Sequence, residues 1–396
     1  MAKRISLQIP GVAHSGGRER GFLPFGAKVG NMLFSGGSMG QDPANGQVVA
    51  DPAQQAELAF ANTRTLVEAA GMSVEDIGHM FVWLADRKYQ EAVNKPWEAM
   101  FPDPHSRPAR HAIVRPLPGN MVVQLEIIAV DRGNGAKRVS YEIPGVAHSG
   151  GGPAGFIPFG TTVGDVLFSG GTFGRNSKTG EMGKTAEEQA ALALENTRTL
   201  LDAAGYRPED VAHFFVWLKD RKYQESINKS YAEMFPDEKS RPARHSLVVD
   251  LPGEMMVQMD VMAVKGGQRR SIHVPGIHHT VVSDYFLPMG TQIGNTLFSS
   301  GIMGREVGTN AMPESPERQA ELAFQHMKTM LEQGGFTTDD VGHMLVWFKD
   351  DKYRDVVNVP YEAMFPDKAN RPARHAIIAD LPNDMVLQLE VTAVKS

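Results

Sequence analysis

The chain has 396 residues, no cysteine, and a net charge of −6 from 40 basic and 46 acidic side chains. The missing cysteine removes disulfides, thiolate nucleophiles and cysteine-ligated metals together, and leaves the redox compartment undetermined. The charge gives no bulk attraction to phosphate backbones or anionic lipid, and no apolar run nears the roughly 20 residues that span a bilayer, so neither nucleic acid nor membrane is an expected partner and a cytoplasmic location is the default.

In chain order, Lys28 to Ser35 reads as a strand closed by Gly36-Gly37. Ala53 to Ala70 reads as a helix, because Ala56, Ala59, Phe60, Thr63, Leu66, Val67 and Ala70 recur at three- and four-residue spacing between Asp51-Pro52 and Gly71. Ile77 to Leu84 reads as a strand with Ile77, His79, Phe81 and Trp83 on one face. It is mostly apolar on both faces and so belongs in the middle of a sheet. A second helical stretch runs from Arg87 to Phe101, and Pro96 predicts a break after Asn94, with that Asn capping a new turn. Ala109 to Arg115 and Met121 to Val130 are strands joined by the Leu117-Pro118-Gly119 turn. The order β-α-β-α-β-β predicts an α+β domain with helices on one face of a mixed sheet.

That pattern occurs three times. Arg-Pro-Ala-Arg-His stands at 107–111, 241–245 and 371–375, with Trp83, Trp217 and Trp347 in matching apolar runs. The period is the length of a domain rather than of a solenoid unit. The expected domains are 1–133, 134–267 and 268–396, with Gly-rich linkers at Asp131–Lys137 and Lys265–Arg270. The bare face of each sheet needs cover that two further copies supply, so three sheets are expected around a pseudo-threefold axis, sheets inside and helices outside.

Gly30-Asn-Met-Leu-Phe-Ser-Gly-Gly37, Asn62-Thr-x-x-Leu-x-x-Ala-Ala-Gly71, Val93-Asn-x-x-Trp-x-x-Met-Phe-Pro, the Arg-Pro-Ala-Arg string and Leu-Pro-Gly before Val-Gln-Leu-Glu-Ile-Ile-Ala-Val together resemble the RidA/YjgF (Rid) superfamily, along nearly the whole of each repeat. The resemblance implies a chorismate-mutase-like fold. It also implies a homotrimer fused into one chain, with ligand clefts between neighbouring units. By the same resemblance Arg110, Arg244 and Arg374 would grip a substrate carboxylate, which suits the planar guanidinium fork; the competing role is a salt bridge across a repeat interface. Glu126, Asp260 and Glu390 would handle water or protons, the Asp reaching one methylene less far. Asn94, Asn228 and Asn358 would line the cleft, unless they serve as helix caps. A family serine survives only as Ser300, where Gly36 and Gly170 stand in the other repeats. The family tyrosine is approached only by Tyr285, and the Ser-Cys after the arginine is His111-Ala112, His245-Ser246 and His375-Ala376. Arg107, Arg241 and Arg371, which have no family match, are expected in surface or interface pairs.

Histidine is the replacement chemistry on offer. Of the sets His14/His148/His279, His79/His213/His343 and His111/His245/His375, the last stands beside the gripping arginines and is the candidate proton shuttle. Strand alternation is the objection, since it points each His away from its neighbouring Arg. Three imidazoles meeting on the axis would suit zinc, but no dense ligand spacing supports it, and neither metal nor cofactor is assigned. The expected function is a small-molecule enzyme of the Rid type. It would bind a carboxylate-bearing substrate between repeats and hydrolyse or tautomerise an imine or enamine, acting as a monomeric pseudo-trimer whose further association is left open. The alternatives are a non-catalytic metabolite-binding protein and, disfavoured by the missing basic stripe, an endoribonuclease.

Overall fold

The computed structural model describes residues 4–12, 14, 21–133, 135–148, 155–278 and 286–395. In the first repeat β1 spans Ile5–Leu7, β2 Gly26–Val29, β3 Met32–Ser35 and β4 Ser38–Met39. The single strand expected from Lys28 to Ser35 is thus a hairpin: Gly30, at φ +57°, turns the chain between two four-residue strands. A small ribbon, β5 (Gln41–Asp42) with β6 (Gln47–Val48), leads into α1, Pro52–Ala69. Asp51 caps α1 by accepting from the Gln54 amide, and Gly71 ends it at φ +69°.

After β7 (Ile77–Leu84), a single 3-10 turn opens α2, Gln90–Met100. The expected break after Asn94 is absent here. Burial of Val93, Pro96, Trp97 and Met100 against the sheet outweighs the one hydrogen bond the proline forfeits. Strands β8 (Ala109–Val114) and β9 (Val123–Val130) follow, and the sheet order is β1-β2-β3-β9-β7-β8, with β4 also on β9. The 117–119 turn therefore makes no hairpin. β7-α2-β8 is a crossover unit, so β8 lies parallel to β7, and the chain must pass over β7 to place β9 antiparallel on its other side. The register slips between Ile77 and His79. That bulge turns Ile77 into the helix-side core, away from the face it was expected to share with His79.

The second repeat runs β10 (Val139–Tyr141), β11 (Gly160–Val163), β12 (Val166–Ser169), β13 (Thr172–Phe173), α3 (Ala186–Ala203), β14 (Val211–Leu218), α4 (Gln224–Met234), β15 (Ala243–Val248) and β16 (Val257–Val264). The third runs β17 (Arg270–Ile272), β18 (Gly290–Ile293), β19 (Thr296–Ser299), α5 (Pro316–Gln333), β20 (Val341–Phe348), α6 (Asn358–Met364), β21 (Ala373–Ile378) and β22 (Leu387–Val394). Here a seven-residue 3-10 helix, Asp351–Val357, precedes α6, so only in this repeat does the helix change character at the Asn.

The three sheets close a ring. β11 and β12 pack on β7, β18 and β19 on β14, and β2 and β3 on β20. On the axis Trp83, Trp217 and Trp347, each fully buried, meet edge-to-face with centroids 6.0, 6.3 and 6.5 Å apart. Immediately before the first strand of each repeat stands an arginine clamped to backbone carbonyls of the preceding repeat. Arg138 binds Val74 and Ile77, Arg269 binds Pro208 and Val211, and Arg4 closes the ring on Thr338 and Val341. Charge-assisted bonds to backbone carbonyls of the preceding repeat make these clamps structural.

Candidate functional site between the repeats

Edge strands β8, β15 and β21 carry the gripping arginines and the histidines that follow them. Arg110 lies opposite Met80 and His111 opposite Phe81, so the two side chains leave opposite faces of the sheet. Arg110 turns outward. Its Nη2 donates to Asn94 Oδ1 at 2.9 Å, and the guanidinium lies 4.6 Å above Trp97 and 5.6 Å from Phe156 of the next repeat. Arg244 repeats this with Asn228 at 2.7 Å, Tyr231 and Phe286, and Arg374 with Asn358 at 2.7 Å, Tyr361 and Phe22. The asparagines thus hold the arginines and do not cap helices.

Each of these arginines is at most 3% exposed, and Nε and Nη1 of both Arg110 and Arg244 have no hydrogen-bond partner. Burial pulls Arg110 down to about 9 and Arg244 to about 10, so both stay charged at neutral pH. A buried cation with two idle donors is costly unless an anion meets it.

His111 turns inward, to the second repeat. Its Nδ1 is 2.6 Å from Asp260 Oδ2 and its Nε2 is 3.1 Å from Gln258 Oε1. His245 meets Glu390 and Gln388 at 2.6 and 2.9 Å, and His375 meets Glu126 and Gln124 at 2.5 and 3.1 Å. Gln258 donates its amide nitrogen to the Gly171 carbonyl, which leaves its oxygen to accept from His111. With a carboxylate on the other side, both ring nitrogens of His111 are bonded. The rings fit because glycine faces them: a Cβ on Gly37 would lie 2.7 Å from His375 Nε2, and one on Gly301 2.8 Å from His245.

The acids sit nearer the axis. Trp83 donates to Glu126 at 3.2 Å and Trp217 donates to Asp260. Burial pushes Glu126 up, but the His375 bond, the neighbouring imidazoles and Trp83 bring it below the usual range, whereas burial prevails at Glu390 and raises it. Their second oxygens face His343 at 3.6 Å and His213 at 3.5 Å across a chamber of about 20 Å³, the size of one water. Asp260 Oδ1 has no partner; one methylene shorter, it falls short of the equivalent contact to His79. Burial lowers His79 to about 4 and His213 to about 3, so these imidazoles are neutral. Among the described residues no group of three or more such side chains is disposed to hold a metal.

The seam between the first two repeats opens a cavity of about 40 Å³ against Arg110, His111, His148, Ile157 and Gln258. Asp260 lies outside it and lines the axial chamber, so the side chain two residues earlier on the same strand face, Gln258, is the one the seam presents. That role was missed, although i, i+2 spacing would have flagged it. His148 lines the seam, and burial with the nearby Arg110 and His111 charges lowers it to about 3. His14 is lowered to about 3 in the same way beside His375 and Arg374. His279, Asp284 and Tyr285 lie outside the described residues. Ser300 accepts from the Arg244 amide at 3.0 Å and donates to the Pro288 carbonyl at 2.7 Å, stitching one seam. Arg107, Arg241 and Arg371 are interface groups as expected but are buried, donating to carbonyls of their own repeat and, at Phe156, Phe286 and Phe22, of the next.

The three α+β domains form a ring with a buried, under-bonded arginine in its first two seams. The chain belongs to the Endoribonuclease L-PSP family, whose model matches residues 20–131, 153–265 and 282–395. Its relatives include a RutC family protein of Saccharolobus solfataricus, 37% identical over 115 residues, which are 28% of this chain and 90% of that protein. Another is the 2-iminobutanoate/2-iminopropanoate deaminase of Escherichia coli, 37% identical over 109 residues, 27% of this chain and 85% of that protein. Among solved structures, RidA from an Antarctic Psychrobacter matches 32% of this chain and 98% of its own at 29% identity and a TM-score of 0.29. A chorismatase matches 81% of this chain and 93% of its own at 15% identity and a TM-score of 0.53, a likeness of fold alone. No helix among the described residues is long and apolar enough to cross a membrane.

Proposed function

We propose that the protein hydrolyses 2-imino acids, or their enamine tautomers, to 2-oxo acids and ammonia in the seams between repeats. The observation that carries this reading is the buried guanidinium of Arg110 and of Arg244, sandwiched by aromatic rings with Nε and Nη1 unbonded. A carboxylate is the planar anion that suits a buried guanidinium with idle donors. Arg110, Arg244 and Arg374 hold it, and Asn94, Asn228 and Asn358 fix the fork. Ser300 sets the backbone of Arg244. Water adds across the C=N bond and the nitrogen leaves as ammonia. The pairs His111–Asp260, His245–Glu390 and His375–Glu126 serve as proton store for the departing nitrogen. The deaminase name of a relative at 37% identity supports the same chemistry.

A binding-only role is favoured by one feature, the glutamine that stands in the seam where a carboxylate base was expected. The test is ammonia release from a 2-imino acid made in situ, in wild type and in Arg110→Ala, Arg244→Ala and Arg374→Ala. Acceleration by wild type, lost by at least about a hundredfold when all three are combined, is the expected result, the loss of one charge-assisted grip being worth about 3 kcal/mol. No acceleration by wild type would overturn the hydrolytic reading and leave the metabolite-binding one.

A further inference from the structure

The grip occupies the floor of each seam and leaves its mouth. In the first seam the lining beside Arg110 includes a second arginine, Arg87, with Gln90, and no carboxylate. Arg87 donates across the seam to Asp250 of the next repeat, to the carbonyl at 2.8 Å and the carboxylate at 3.2 Å, and the Asp250 side chain is 66% exposed. The second seam repeats the device, with Arg221 on the Asp380 carbonyl at 2.5 Å and its carboxylate at 3.1 Å.

The third seam cannot, since Asp351 stands where the arginine should be and Pro116 where the aspartate should be. It recovers the arginine differently. Residues Asp351–Val357 form an unbroken 3-10 helix, whose three-residue turn stacks positions 351 and 354 on one face. Arg354, in the place of Gln90, binds Asp351 at 2.7 and 3.0 Å, and His14 in that seam feels the charges of both Arg374 and Arg354. Each seam thus pairs a buried arginine with a second one at its mouth, supplied from two different sequence positions. In every case the mouth arginine's carboxylate partner is an exposed aspartate, an ion pair worth about 0–1 kcal/mol and so readily exchanged for another carboxylate.

We infer that Arg87, Arg221 and Arg354 select a substrate with two carboxylates, the 2-imino derivative of a short dicarboxylic acid. The carboxylate next to the imine sits on the buried arginine, and the distal one displaces Asp250, Asp380 or Asp351 from the mouth. The inference rests on the imine-hydrolysis reading. Water supplies the new carbonyl oxygen, the C=N bond breaks, and the water and imine hydrogens leave on ammonia.

The test compares ammonia release from 2-iminosuccinate and from 2-iminopropanoate, each made in situ by an amino-acid oxidase. Wild type is expected to favour the dianion at least tenfold in kcat/KM. In the combined variant Arg87→Met, Arg221→Met, Arg354→Met that preference collapses through KM, and Lys at the three positions restores part of it. Asp250→Asn with Asp380→Asn removes two competing carboxylates and lowers KM for the dianion. Equal use of both imines by wild type, or a preference that survives the Met variant, overturns the inference. Should neither imine be turned over, calorimetry separates the two readings. Oxaloacetate binding at least tenfold tighter than pyruvate, with the difference lost in the Met variant, upholds the mouth arginines without the hydrolysis, and equal binding overturns them.

Discussion

On strand β8, Arg110 and His111 are neighbours and both are buried, yet Arg110 has two guanidinium positions without a partner whereas both ring nitrogens of His111 are bonded. The pleat sends one to the seam and the other toward the axis. Polar groups on the axial side are bonded to one another, Trp83 and His375 both meeting Glu126. Those on the seam side are kept idle at a cost in stability, and an idle buried donor is the stronger mark of a ligand.

The sharpest way to break this contrast is to remove one group from each side. Glu126→Leu strands His375 and the Trp83 indole in the interior and is expected to cost about 3–5 kcal/mol. Arg110→Met, which removes idle donors, is expected to leave stability within about 1 kcal/mol of wild type or to raise it. Urea denaturation of both variants checks this, and equal losses would place the arginine among the structural groups. Next in size is the pH dependence. His79 and His213 have folded-state values near 4 and 3 against about 6.5 unfolded, so their contribution is complete above about 6.5 and declines as pH falls, by up to about 1.4 kcal/mol per pH unit for each group. Thermal melts from pH 7.5 to 4 should therefore drop steeply below 6.5, and His213→Leu should flatten the slope; a level profile would mean that these imidazoles are charged in the fold. The smallest effect belongs to Ser300→Gly, about 1 kcal/mol for the bonds to Arg244 and Pro288, seen as a modest shift in the urea midpoint.

Period-3.6 and period-2 patterns were enough to read α1 and β7 to within a residue, because Asp51, Gly71 and an unbroken apolar run bound them. The pairing of β8 with β7 was not legible: Leu117-Pro118-Gly119 looks the same whether its strands are adjacent or separated by one, and only the crossover through α2 decides. Local sequence also hid the bulge after Ile77, which depends on ring packing from another repeat: a Cβ on Gly78 would lie 2.4 Å from Phe168. At the site, the arginines and their asparagines stand sixteen residues apart and are hydrogen-bonded, a pairing the spacing alone did not announce. Arg87 and Arg221 escaped notice because their partners come from the neighbouring repeat, which no reading of one repeat contains, whereas Gln258 lay within reach of the i, i+2 spacing from Asp260.

Asp260 illustrates what joining the units end to end permits. Three separate copies of a single polypeptide would carry any alteration at every vertex of the ring, so shortening one axial acid would shorten all three. Here one vertex is short and two are long, and Ser300 likewise exists once. Covalent linkage has released the ring from its own symmetry, and each seam can acquire its own dissociation constant while the other two remain as they were.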